Sequence, residues 1–108
     1  MGFVNLTPHA IVVRIGDRDE TFEPSGAIAR LEVVDSEAWR VGGIPCVRRD
    51  FVLASIPEPK PGVVYIVSAM VLAETKKIFR EDFVAPDTGS GAIRNEKGHI
   101  VAVTGFIC

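Results

Sequence analysis

The chain has 108 residues, a formal charge of −2 and 24% charged side chains of both signs, mixed along its length. That length fits one domain, residues 1–108, with a modest apolar core. The mixed charge excludes the concentrated basic stripe of a duplex-binding surface, and no apolar run is long enough to span a bilayer.

In chain order, Phe3 to Ile15 predicts two strands around Thr7-Pro8-His9, with Pro8 at a strand start, edge or bulge because it lacks an N–H. The start of the chain shows no basic segment followed by a long apolar stretch. Leu6 stands where a myristoylation signal wants Ser or Thr. Gly16 to Asp19 reads as a turn into Glu20–Glu23, which makes a hairpin. Pro24-Ser25-Gly26 is a second turn, and Ala27 to Val34 alternates with period two. Ala29, Leu31 and Val33 form the face expected inside; Ile28, Arg30, Glu32 and Val34 form the other. Asp35 to Val41, with Trp39, is expected to be irregular. Ile44 to Arg49 and Phe51 to Leu53 read as strand, and Pro45 places it at an edge. Ile56 to Pro61 is a proline-pinned surface crossing.

Pro61-Gly62 opens the central unit. Val63 to Val67 predicts a buried strand. Ser68 is an N-cap, and the helix it starts runs over about 68–78, with Glu74, Lys76 and Lys77 on its wet side. Two aromatics, Phe79 and Phe83, and the loop Ala85 to Gly91 follow. Ala92–Arg94 and His99–Val103 flank Asn95-Glu96-Lys97-Gly98 as a hairpin. Many strands and one helix predict an α+β fold, with a mostly antiparallel, barrel-like sheet around one central helix.

Few residues suggest chemistry. Thr7 and His9 read as a backbone device at a bend rather than as nucleophile and base. His99 has no second ligand at metal spacing, and Cys46 and Cys108 read as free thiols. Neither a phosphate-binding glycine loop between strand and helix nor a nucleophile elbow is present. Arg30, Arg48, Arg49, Arg80 and Arg94 each stand on or beside a strand or loop end, where a guanidinium fork suits phosphate oxygens. Phe79 or Phe83 offers a surface on which a base could stack, and Asp87, Thr88 and Ser90 offer acceptors and hydroxyls for a base edge or ribose.

One pattern covers nearly the whole chain. It comprises Asn5-Leu6-Thr7-Pro8-His9, Pro24-Ser25-Gly26 with Ala29-Arg30, and Ile44-Pro45 with Val47. Pro57 and Pro59, Tyr65-Ile66-Val67-Ser68 and Ala85-Pro86-Asp87-Thr88 complete it. The pattern resembles a group of small proteins carried by bacteriophages and prophages, and through them the first-described Thoeris anti-defence proteins of phages. Those proteins are cytosolic sponges. They sequester cyclic ADP-ribose isomers made by TIR enzymes, and some hold cyclic oligonucleotides of CBASS immunity, without cleaving them. The resemblance implies a non-enzymatic protein of the host cytoplasm that needs no cofactor. It further implies a homo-oligomer with arginine- and aromatic-lined pockets at subunit junctions. The positions that match by type are Arg30, Arg48, Arg49, Phe83, Asp87, Thr88 and Arg94. Two other readings stand beside it. One is a non-catalytic phage module that binds a host protein. The other is a hydrolase or lyase using His9, Asp82 or Asp87.

Overall fold

The computed structural model describes residues 2–108. It is α+β, with ten strands and one helix. The β-branched run after Pro61-Gly62 forms β6 (Val63–Ile66), which is followed by α1 (Ala69–Lys77) and β7 (Phe83–Pro86). The strands β6 and β7 run parallel, with Tyr65 opposite Phe83, as a strand-helix-strand crossover requires. On the other side of β6 lies β1 (Gly2–Asn5), also parallel, and β10 (Phe106–Ile107) pairs antiparallel with β7. This first sheet has the order β1-β6-β7-β10.

A second sheet has the order β3-β2-β9-β8, built from β2 (Ile11–Ile15), β3 (Arg18–Phe22), β8 (Ala92–Arg94) and β9 (Ile100–Val103). Its two hairpins are those expected at Gly16 and at Asn95 to Gly98. The remaining pair, β4 (Arg30–Val41) and β5 (Ile44–Ser55), forms a two-stranded ribbon of its own. Gly42 and Gly43 turn it with φ of 56° and 80°, the double left-handed geometry of a tight hairpin. The segment from Asp35 to Val41, expected to be irregular, is therefore strand. Its pairing with β5 fixes it, with a register shift between Glu37 and Trp39.

No closed barrel is found. Of the seven strand pairings four are antiparallel, as expected for the majority, and three are parallel, so the sheets are mixed. The crossover at α1 makes the β6–β7 pairing parallel, β1 joins the same sheet parallel to β6 from the far end of the chain, and the ribbon takes two long strands out of any closed wall.

The core sits between α1 and the first sheet, where Leu6, Ala29, Tyr65, Val67, Val71, Leu72, Phe83 and Ala85 pack together. Leu31 and Leu53, at the base of the ribbon, lean on that cluster, whereas Val33, expected inside, is exposed. The helix starts where Ser68 accepts a hydrogen bond from the Val71 N–H. Thr75, fully buried, satisfies its hydroxyl by donating to the Leu72 carbonyl at 2.8 Å. No helix among the described residues is long and apolar enough to cross a membrane.

Candidate functional site

The junction between α1 and β7 is the least ordinary piece of backbone. Two bonds close the end of the helix, Phe79 N–H to the Lys76 carbonyl and Arg80 N–H to the Thr75 carbonyl, each 3.1 Å. This closure places one residue in the left-handed region, a position usually held by glycine. Here it is Phe79, at φ 60°. An L-residue with a Cβ is disfavoured in that conformation by roughly 1–2 kcal/mol. Nothing from burial offsets the strain, because the ring is 91% exposed. Two clefts meet at this ring. One, of about 390 Å³, is lined by Leu72, Lys76 and Arg80; the other, of about 520 Å³, by Pro59, Lys60 and Arg80.

Arg80 is the rigid floor between them. Its Nε and Nη2 donate to the two carboxylate oxygens of Asp82, both at 2.8 Å, and Nη2 also donates to the Pro57 carbonyl at 3.0 Å. The guanidinium carbon lies 4.7 Å from the centre of the Phe83 ring. That hydrogen bonding from Arg80 holds the Asp82 carboxyl below its ordinary value despite partial desolvation. The arrangement ties the proline-rich crossing to the end of the helix. Among the described residues no hydrogen bond uses Nη1, and Arg80 lines both clefts.

Chemically, the patch offers a free π-face, a fixed guanidinium edge and two flexible ammonium groups, Lys60 and Lys76. It suits a planar ring that carries an anion. A third cleft, of about 450 Å³, gathers segments of the phage-type pattern: Leu6, Ser25, Ala29, Pro57 and Tyr65 line it, with Lys60 at its margin. Its wall is mainly aliphatic, and the Tyr65 hydroxyl is already donating to the Glu58 carbonyl at 3.1 Å.

The residues expected to bind are dispersed over the fold. Phe83 is a core side chain, 2% exposed, tilted against Tyr65 at 5.4 Å and covered by Arg80. Stacking on it would require opening the core, and of the two aromatics Phe79 is the one offered to solvent. Arg30, Arg48 and Arg49 all stand on the ribbon. There Arg49 grips Asp35 through two bonds of 2.8 and 2.9 Å, and that bond lowers the Asp35 carboxyl. Arg94 donates to the Gly98 carbonyl at 2.7 Å and so closes its own hairpin. Asp87 accepts from the Gly89 N–H at 3.1 Å and is built into its loop. Thr88 borders a cleft of about 160 Å³ beside β9. The structure thus sets Arg48 and Arg49 side by side in sequence near the middle of the ribbon with Arg30 apart at its base, and of these residues it brings Phe83 alone to the clefts at Phe79.

Thr7 and His9 belong to a backbone device whose organiser, Asn5, the sequence reading left out. Asn5 is 2% exposed; its Nδ2 donates to the carbonyls of His9 and Phe22 at 2.8 and 2.9 Å. Its Oδ1 accepts from the Thr7 N–H and hydroxyl at 2.9 and 2.7 Å. A signal for Phe79 also existed in the sequence: it follows directly on the last turn of a helix whose cap and length were legible, where glycine is the rule. No cluster of three metal-ligating side chains occurs among the described residues. No protein-family model matches the chain, and it finds no counterpart among the curated proteins or the solved structures.

Proposed function

We infer that this protein is a phage-type capture protein, working as an assembly of copies in the host cytoplasm. It binds cyclic ADP-ribose isomers or cyclic oligonucleotides as a sponge, without cleaving them. The observation that carries the reading is Phe79, a ring held at 91% exposure in a backbone conformation that favours glycine. Local strain of this kind concentrates at binding sites, where surrounding structure enforces it. A base stacked on such a ring gains roughly 1–3 kcal/mol. Lys60, Lys76 and the free edge of Arg80 meet the phosphates that cyclic nucleotides carry. The ribbon arginines Arg30, Arg48 and Arg49 line neither cleft at Phe79. They serve a ligand where copies join.

Calorimetric titration with a panel of cyclic ADP-ribose isomers and cyclic oligonucleotides tests this, followed by denaturation and chromatography of the ligand. Binding with intact ligand released is expected, and Phe79→Gly is expected to weaken it about 10-fold to 100-fold. Silence across the panel, a changed ligand, or normal binding by the variant sinks the reading. The same exposed ring favours a second reading, a non-catalytic phage module whose aromatic anchors a host protein. That module would be silent in the titration and would lose its partner with Phe79→Gly.

A further inference from the structure

The ribbon of β4 and β5 is the largest part of the molecule that the fold leaves unpartnered. Its strands are 12 residues each, which makes an arm about 40 Å long and about 10 Å wide. The whole chain measures 55 × 39 × 22 Å with a radius of gyration of 16.8 Å, against about 13 Å for a compact domain of this length. Beyond its base the arm leaves the core. Val34, Trp39, Val41, Val47 and Val52 stand in solvent on both faces, and Ile44 at the tip is 70% exposed. A two-stranded ribbon is marginal by itself in water. Both of its long edges also carry unpaired backbone groups.

Three observations say what covers it. The first is area: one face of the arm offers on the order of 400 Å², and a twofold clasp adds a tip and a groove from each copy, which brings the contact toward the ~800 Å² that each partner contributes to a stable complex. The second is charge. Residues 30–55 carry Arg30, Arg40, Arg48 and Arg49 against Glu32, Asp35, Glu37 and Asp50, four of each sign. Such balance fits another balanced arm. A nucleic acid would want excess cations, and an anionic bilayer a basic fringe. The third is shape. Where β5 meets the end of α1, a groove of about 470 Å³ is lined by Phe51, Leu53, Ile56 and Ile78 and bordered by Glu74 and Lys77. The tip carries the matching apolar side chains Trp39, Val41 and Ile44. Two equal arms laid antiparallel about a twofold axis put each tip over the other's base, a closed isologous contact.

We propose that two copies of this chain clasp through their β4–β5 arms, each tip seated in the groove at the base of the other arm. The proposal shares with the reading above only the assembly of copies, and it holds whether or not a nucleotide binds. Sedimentation of the full chain over a range of concentrations is expected to give twice the chain mass. Val41→Lys with Ile44→Lys changes side chains already in solvent. It is expected to give a monomer with unchanged circular dichroism. In a chain carrying Cys46→Ser and Cys108→Ser, Ile44→Cys with Ile78→Cys is expected to oxidise to a covalent dimer. A monomer at every concentration, a dimer indifferent to the tip changes, or failure of the cross-link overturns the proposal. Phe79→Gly is expected to leave the mass unchanged, so loss of the ligand reading and loss of the clasp are separate outcomes.

Discussion

Asn5 links three segments by one side chain. Its amide holds the carbonyls of His9 and Phe22 while its oxygen receives Thr7, so the bend after β1 and the end of β3 share a single buried group. Asn5→Leu keeps the volume and removes every one of these bonds. Buried partners left unsatisfied cost about 1–3 kcal/mol each, so a loss of about 3 kcal/mol is expected, read as a lower urea midpoint with unchanged slope. Phe79→Gly should act in the opposite direction. Relief of the left-handed strain, less the added freedom of glycine in the unfolded chain, predicts a gain of about 1 kcal/mol and a Tm higher by about 5 °C. A variant that is more stable and binds less well is the signature of strain kept for function. A variant that is less stable would mean that the ring supports the fold. Of the two aromatics after the helix, the pattern Phe83-Val84-Ala85-Pro86 already puts Phe83 and Ala85 on one strand face, which both occupy in the core. That alternation was legible, but the pull of an aromatic near an Asp/Thr loop obscured it.

Among the elements, the helix and the two short hairpins could be read because their signals are local: a serine cap, a glycine turn, alternating side chains. The arm could not. Ser36, Glu37 and Ala38 have little preference for strand, and only pairing with the long partner β5 on either side of the irregularity at Ala38 holds the segment extended. The paired glycines at the turn were the missed clue. A tighter element lies at the start of β8. There Gly91 is buried, and a Cβ on it would come within 2.7 Å of Asp87 Oδ2 and 2.9 Å of Thr104 Oγ1. Gly91→Ala is therefore expected to cost roughly 1–3 kcal/mol through crowding. Adding Asp87→Ala should recover part of that loss, because the clash is with the Asp87 carboxylate. A double-mutant cycle of thermal melts measures the coupling, and strictly additive effects would refute this account.

At the scale of the whole molecule, acid is the simplest perturbation. Hydrogen bonding from Arg80 keeps the folded-state Asp82 carboxyl below its unfolded value. Its contribution is therefore present above about pH 4, the ordinary aspartate range, and is lost as the pH falls through the lower folded value. Denaturant melts from pH 6 down to pH 2 are expected to show a stability decline that Asp82→Asn makes shallower. An unchanged profile would mean that the ion pair contributes nothing across that window. The global topology was the part hardest to reach from sequence. Strand content and the number of helices follow from local patterning. The parallel pairing of β1 with β6, which joins segments some sixty residues apart, depends on packing that no local signal encodes. So does the separation into two sheets and a ribbon in place of a closed wall.

The position of Trp39 gives the molecule a built-in optical reporter. It is the only tryptophan in the chain, and it stands half-exposed toward the end of the arm, away from the core packed around Tyr65 and Phe83. Indole emission therefore speaks for the ribbon alone, while far-ultraviolet ellipticity speaks for the folded body. The wavelength of that emission, followed on dilution or heating, separates detachment of the arm from melting of the body without adding a label.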